Sequence, residues 1–404
     1  MNGNEHSHEE APEHDQHAGH SDHADDHGPR DVLTVLDDPD TGYMFRPGQL
    51  IVKEADLALA WKELTLNRAE ETEIDERLGI RVFHVRDDAV PRIVREMRSS
   101  VAARASANVV LTLGWHTFCA APPSPVKTPD DFPMELPEPT TGYRARVAVL
   151  DSGVVDDEWF GDRIEKRGSQ DDDKLEVDKD GTAHHGFGHG TFTASQLARY
   201  GPDSKVVVRR VAVQDGVTDD LTLARALLDL GDLQGDDKVD VVSLSMGGYT
   251  PSDSGLVASG EALRQLLEMN RDLVVVVAAG NHGSFRPHAP AVYKRVVAVG
   301  ALDRHGDRAY FTNFGHWVDA CTEGVDVEGV FPKVTSVRWP HSSEPRDYSS
   351  GFARWTGTSF AAPKVAGVIA QRMSGADRVS GRQAVYEVIL NGPETVSDLG
   401  TRVR

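Results

Sequence analysis

Four short stretches of this chain carry side chains suited to one kind of chemistry. In Gly357-Thr358-Ser359-Phe360-Ala361-Ala362-Pro363, Ser359 stands where an apolar helical run, residues 360–373, begins. A hydroxyl there faces backbone N–H groups that lack intrahelical partners and favour negative charge. Pro363 is read as part of the first turn, where a proline sacrifices no intrahelical bond. A serine is a weak nucleophile until a base takes its proton, a third group orients the base and a donor meets the oxyanion. Each has a candidate upstream. Asp151 follows the apolar run Val147-Ala148-Val149-Leu150, His189 sits among glycines in His185-Gly186-Phe187-Gly188-His189-Gly190-Thr191, and Asn281 closes Ala278-Ala279-Gly280-Asn281. Taken singly, the plainer readings are a helix cap, two turns and a flexible glycine loop. Taken together, a carboxylate, an imidazole, an amide and a hydroxyl suit acyl transfer.

The elements around them place these residues at strand ends and helix starts. Apolar runs at 146–150, 205–213, 239–245, 273–279 and 295–299 read as strands, and 190–200, 222–230 and 254–269 as helices between them. Strands that are apolar throughout are buried on both faces, which predicts a mainly parallel sheet flanked by helices in an α/β domain. A carboxylate directly after such a strand lies at its C-terminal edge, where open α/β sheets place their sites. Upstream, strand patterns at 48–53, 81–85 and 108–113 alternate with helical patterns at 55–67 and 89–105, giving a small α+β module. Seven prolines between Ala121 and Thr140 predict an extended, exposed linker. The expected division is therefore a tail over 1–30, an α+β domain over 31–118, a linker over 119–141, a catalytic domain over 142–392 and a C-terminal tail over 393–404.

The motifs Val-Leu-Asp-Ser-Gly, His-Gly-His-Gly-Thr, Ser-Leu-Ser-Met-Gly-Gly, Ala-Ala-Gly-Asn and Gly-Thr-Ser-Phe-Ala-Ala-Pro occur in that order within 145–373. In this set the chain resembles the subtilisin-like serine proteases, the subtilases. The resemblance implies a serine endopeptidase in which Ser359 attacks the scissile carbonyl, His189 relays the proton, Asp151 orients the imidazole, and Asn281 with the Ser359 N–H holds the oxyanion. It further implies that Ser243-Leu244-Ser245-Met246-Gly247 pairs with extended substrate, and that Ser245-Met246-Gly247 and Ala278-Ala279-Gly280 wall the primary pocket. Both walls lack charge, which points to an apolar or small residue before the cut. Among the departures, Phe192 stands where the family commonly has a second histidine. Only Gly201-Pro202-Asp203-Ser204 separate the His189 helix from the next strand, without the calcium-binding insertion of many secreted subtilases. Cys321-Thr322-Glu323-Gly324 replaces the usual Ala-Pro-Gly, and residues 333–354 form a long polar stretch before the nucleophile.

The strand–helix order of the N-terminal module loosely resembles a subtilase propeptide. That implies a zymogen whose own N-terminal domain inhibits it in cis and whose cleavage falls between Gly114 and Gly142, first in the stretch from Trp115 to Ala121. Prolines disfavour strand pairing at their own positions and so limit the cut. An unrelated accessory domain is the plainer alternative.

Composition bounds the rest. With 404 residues and a net charge of −21, neither nucleic acid nor an anionic membrane surface is an expected partner; a peptide or protein substrate is. No basic segment followed by an apolar run opens the chain, and the longest apolar run, Leu273 to Ala279, has seven residues, so a cytoplasmic location is expected. The only cysteines, Cys119 and Cys321, lie outside any redox or zinc motif. No cofactor or metal is expected. Calcium remains a second reading of the eleven acids between Asp156 and Asp180, against a solvated loop, and metal buffering a second reading of the seven histidines in residues 1–30, against a disordered tail. Competing functions are a protease-like interaction protein, a maturation protease dedicated to one partner, and the related acid-acting family with Glu for His, which His189 argues against.

Overall fold

The computed structural model describes residues 33–35 and 42–404, apart from 102, 115–120, 141, 167, 214, 254, 341 and 343. The histidine-rich tail, Cys119 and most of the expected cleavage stretch lie outside the described residues.

The N-terminal module runs β1 (Leu33–Val35), β2 (Tyr43–Lys53), α1 (Leu57–Leu66), β3 (Glu70–Asp75), β4 (Ile80–His84), α2 (Val90–Ser100) and β5 (Ala105–Thr112). Its strands pair antiparallel in the order β5-β2-β4-β3, with β1 on β2. In α2 the buried Val90, Ile93, Val94 and Met97 fall at i, i+3, i+4 and i+7, one apolar stripe that packs with β2 and β5. The sequence pattern passed over β3. Its residues Glu-Glu-Thr-Glu-Ile-Asp are almost all exposed, so no alternation marks them, and only pairing to β4 makes them a strand. Acids along that edge discourage further strand addition.

After β6 (Ser124–Pro125), the larger domain contains β7 (Arg146–Asp151), β8 (Ile164–Lys166), α3 (His189–Tyr200), β9 (Lys205–Arg210), β10 (Val217–Asp219), α4 (Asp220–Gly231), β11 (Val241–Leu244), α5 (Ala258–Met269), β12 (Val274–Ala278), β13 (Val296–Leu302), β14 (Ala320–Glu323), β15 (Val327–Val330), β16 (Phe352–Trp355), α6 (Thr358–Arg372), α7 (Gly381–Val385), β17 (Thr395–Val396) and β18 (Gly400–Arg402). Nine strands form one sheet in the order β17-β18-β14-β13-β12-β11-β7-β9-β8. All neighbours are parallel except the β17–β18 hairpin. Every residue of β11, β12 and β13 is buried, as expected for a sheet covered on both faces. Helices α3 and α6 cross closely beneath it. A Cβ at Gly367 would sit 2.5 Å from the Leu197 carbonyl, so only glycine permits that approach.

Three expectations change here. Residues 393–404 are not a tail: β18 pairs with β14, and Leu399 and Val403 are buried, because the sheet's last parallel strand needs a neighbour and those side chains cover apolar surface. The proline-rich segment is extended but not free. Phe132 is 4 % exposed, its ring 4.9 Å from Trp159 and 6.2 Å from Phe352, while Arg346 Nη1 donates to the Pro122 and Pro123 carbonyls and Trp159 Nε1 to Pro133. A proline has no N–H to enter a ladder but keeps its carbonyl as an acceptor, and side chains of the larger domain supply the donors here. Pro363, finally, is the sixth residue of α6 rather than part of its first turn. It removes the bond its N–H would have made to the Ser359 carbonyl, and the Ser245 hydroxyl donates to that carbonyl instead at 2.8 Å. Among the described residues, no helix is long and apolar enough to cross a membrane.

Candidate active site

Asp151 ends β7, His189 opens α3, Asn281 follows β12 by three residues and Ser359 is the second residue of α6, so all four lie at the C-terminal edge of the sheet. His189 Nδ1 is 2.8 Å from Asp151 Oδ1, with both side chains no more than 3 % exposed. A carboxylate can only accept, so Nδ1 carries the proton in this pair and Nε2 is left basic. Asp151 is held in turn by the Ser152 N–H at 2.8 Å and the Thr193 hydroxyl at 3.4 Å. The imidazole packs against Phe360 at 5.3 Å and edge-on to Trp355 at 5.6 Å. Its Nε2 has no hydrogen-bond partner, and Ser359 Oγ donates to the Ser245 carbonyl at 3.2 Å. His189 and Ser359 nevertheless line one cavity, of about 30 Å³, with Asn281, Leu113 and Gly114. Catalytic hydrogen bonds of this kind often tighten only in the reacting complex.

The Asn281 amide has one orientation. Its Oδ1 accepts from the Thr358 N–H and the Thr358 hydroxyl, each at 2.8 Å, so Nδ2 is the end turned to the cleft. A Cβ built on Gly114 would lie 2.9 Å from that Nδ2. The Ser359 N–H belongs to the first turn of α6 and has no helical acceptor. Two N–H donors, Asn281 Nδ2 and the Ser359 N–H, are therefore left without a helical or side-chain acceptor near the Ser359 hydroxyl.

One supporting residue escaped the sequence reading, which took the acids of 156–180 as a solvated loop or, second, a cation site. Asp173 is buried and accepts from the Gly188 N–H at 3.1 Å, the Thr191 N–H at 3.3 Å and the Thr191 hydroxyl at 2.8 Å, tying down the turn of helix that begins with His189. Burial pushes its carboxyl up to about 7, against the pull of those donors and with the Asp151 charge adding to the rise. An unfolded aspartate titrates near ~3.9, so the native state holds this proton more tightly than the unfolded chain. The stability Asp173 contributes is then complete below about pH 4 and is lost as pH rises through about 7. The Tm advantage of wild type over Asp173→Asn is expected to shrink across that window in thermal melts. An advantage that grew with pH would mean that the donors outweigh burial. Farther along, Asp178 Oδ1 accepts from the Asp180 and Thr182 N–H groups. Among the described residues, no group of three or more His, Cys, Asp or Glu side chains is arranged to hold a metal.

The stretch expected to pair with substrate lies partly inside the sheet. Ser243 and Leu244 lie inside β11, paired to β7 on one side and β12 on the other, so their backbone edges are already used. Ala278 likewise pairs with Val299 of β13. Ser245, Met246 and Gly247 run past the sheet edge on one side of the cleft and Ala279 and Gly280 on the other. Gly247 carries a peptide partner: its N–H donates to the Thr112 carbonyl at 3.2 Å and its carbonyl accepts from the Thr112 N–H at 3.0 Å. On the opposite side the Leu113 N–H donates to the Gly216 carbonyl at 3.0 Å, continuing the antiparallel pairing of β5 with β10. Strand β10 was missed from sequence, being three residues that exist as a strand through β5. Of the departures, Phe192 is fully buried against Phe360 at 4.7 Å, and the stretch 333–354 contributes Trp339 to the cavity.

Residues 142–399 match the subtilase family, peptidase S8. The chain belongs to the subtilase family. Its relatives include a thermophilic serine proteinase of Bacillus sp. (strain AK1), 28 % identical over 283 residues, which are 69 % of this chain and 63 % of that protein. Thermitase of Thermoactinomyces vulgaris is 30 % identical over 272 residues, 64 % of this chain and 85 % of its own. This subtilase thus spans somewhat under two thirds of the Bacillus relative. In fold it is similar to fervidolysin from Fervidobacterium pennivorans, a keratinolytic enzyme related to subtilisin, with a TM-score of 0.60 at 18 % identity over 89 % of this chain and 60 % of that one. A cold-adapted subtilisin-like serine proteinase gives a TM-score of 0.50 at 21 % identity over 68 % of this chain and 94 % of that one.

Proposed function

We propose that this subtilase is a serine endopeptidase made as a self-processing zymogen. Ser359 Oγ attacks the carbonyl carbon of an extended peptide while His189 Nε2 accepts its proton. Asp151 keeps the proton on Nδ1 and stabilises the imidazolium that forms. Negative charge developing on the carbonyl oxygen is met by Asn281 Nδ2 and the Ser359 N–H. The imidazolium then protonates the leaving amine, and water repeats the sequence on the acyl-enzyme.

The observation that carries this reading is the course of the chain's own tail. Thr112 pairs with Gly247 and Leu113 with Gly216, which is how an extended peptide held between two backbone edges would lie. That register brings Gly114 beside Asn281 Nδ2 and the cavity shared by His189 and Ser359. The carbonyl that this register offers to Ser359 is that of Gly114, at the N-terminal limit of the stretch expected from sequence. Before it is cut, the module inhibits in cis by filling the cleft. Afterwards residues 121–140 remain strapped to the catalytic domain, with Trp355 Nε1 donating to the Ala121 carbonyl at 3.0 Å.

Asn281→Ala is expected to lower kcat by roughly 10²–10³-fold with KM nearly unchanged, because the amide acts chiefly in the transition state. Steady-state kinetics on a peptide substrate separates the cases, and a change confined to KM would assign Asn281 to ground-state binding. A fluorophosphonate probe distinguishes this reading from a protease-like interaction protein: the activated serine should label, and failure of Ser359 to label in processed protein would favour the interaction role.

A further inference from the structure

Strands β11 and β12 are neighbours in the sheet, and beyond its edge residues 245–247 continue the one and 279–280 the other, with Thr112 paired to Gly247 and Gly114 beside Asn281 Nδ2. A side chain before the cut would have to enter between these two continuations. That space is occupied. A Cβ at Gly247 would come within 2.6 Å of His288 Nδ1, and one at Gly280 within 3.0 Å of the same atom, so the imidazole lies against both walls at once. The ring is 4 % exposed and held in place by the two bonds between Gly248 and Ala289, whose N–H groups donate to each other's carbonyls at 2.9 and 3.0 Å. Tyr249 packs edge-on to it at 5.3 Å, beneath the Arg286 guanidinium at 4.2 Å. His288 Nδ1 has no hydrogen-bond partner. A filler chosen for stability alone would be apolar, since a buried polar atom without a partner is costly and calls for an explanation.

We infer that His288 closes the primary pocket and limits the residue before the cut to glycine or alanine. This rests on the proposed protease activity and names its substrate class: peptides with a small residue ahead of the scissile bond. The chain's own tail agrees, because the residue it brings to that position is Gly114. Burial, with His282 and Arg286 adding to it, holds the His288 pKa well below the usual imidazole range. The ring is therefore neutral and gives no counter-charge to an acidic side chain. A branched or aromatic side chain must displace it into a close-packed cluster, which disfavours the bound complex and the transition state alike.

The test uses the full-length protein after it has processed itself, with peptides of the tail sequence Val110-Leu111-Thr112-Leu113 carrying Gly, Ala, Leu or Phe at the next position. Cleavage after Gly and Ala is expected to exceed cleavage after Leu or Phe by about 100-fold in kcat/KM, within the range set by one misfitting group in a tight pocket. In His288→Ala that ratio should fall at least ~10-fold as Leu and Phe gain room. Wild type that cleaves after Leu or Phe as fast as after Ala would overturn the inference without any variant. So would a folded, fluorophosphonate-labelled His288→Ala enzyme with an unchanged ratio. If Ser359 in wild type fails to label at all, the protease reading falls, and this inference with it.

Discussion

Ser359→Ala should purify as an intact, folded chain that hydrolyses nothing, beside a wild type whose mass has dropped by the N-terminal module. The loss expected in kcat is on the order of 10⁶-fold, the scale on which removal of the nucleophile acts in subtilisin itself. The fold should survive, because the Ser359 hydroxyl makes one hydrogen bond, to the Ser245 carbonyl, and the bond that holds α6 there uses the Ser359 carbonyl. Intact mass spectrometry reports both effects. Wild type cut after Gly114 leaves a chain beginning at Trp115, and the variant should show no such species. A variant that processed itself, or kept a tenth of the wild-type rate, would remove Ser359 as nucleophile. Wild type that stayed intact and fully active would make the N-terminal module a permanent accessory domain.

Asp151→Asn should cost about 10⁴-fold in kcat with little change in KM. An asparagine keeps the shape of the site, but its amide can present N–H to the imidazole and so favour the tautomer protonated on Nε2. That tautomer cannot take the Ser359 proton. The Ser152 N–H donates to the same Oδ1 that meets His189, and this bond would pull the asparagine oxygen toward that position. Whichever end faces His189, the negative charge that stabilises the imidazolium is gone. Raising pH should recover part of the rate, as hydroxide assists a serine that has lost its base. A loss below about tenfold would mean that Asp151 serves only to pack the strand end.

Much of this could be read along the chain, and the exceptions share a cause. The apolar runs of β7, β11, β12 and β13 mark themselves because both faces of each strand are buried, and the periodicity of α2 marks its stripe. Strand β3 carries no such mark, since its acidic residues face water. Strand β10 forms through pairing with β5, more than a hundred residues away. Pro363 deceived for a similar reason. Its tolerance inside α6 depends on the Ser245 hydroxyl, from the residue just after β11. The proline-rich segment and the C-terminal residues look solvent-exposed by composition, yet Phe132 and Leu399 are buried by surfaces built elsewhere.

The sequence by itself determined the chemical inventory: a carboxylate, an imidazole, an amide and a hydroxyl, each placed by local signals at a strand end or helix start. Such signals span only a few residues, so no tertiary knowledge is needed to read them. The tertiary structure decided distances among groups far apart in the chain. It set Asp151 at 2.8 Å from His189, aimed the Asn281 amide through Thr358, and buried Asp173 under the turn that carries His189. It also brought His288 against Gly247 and Gly280 and laid Thr112 beside Gly247. None of these contacts has a local signature, because each depends on how sheet and helices pack, and packing is a property of the whole chain.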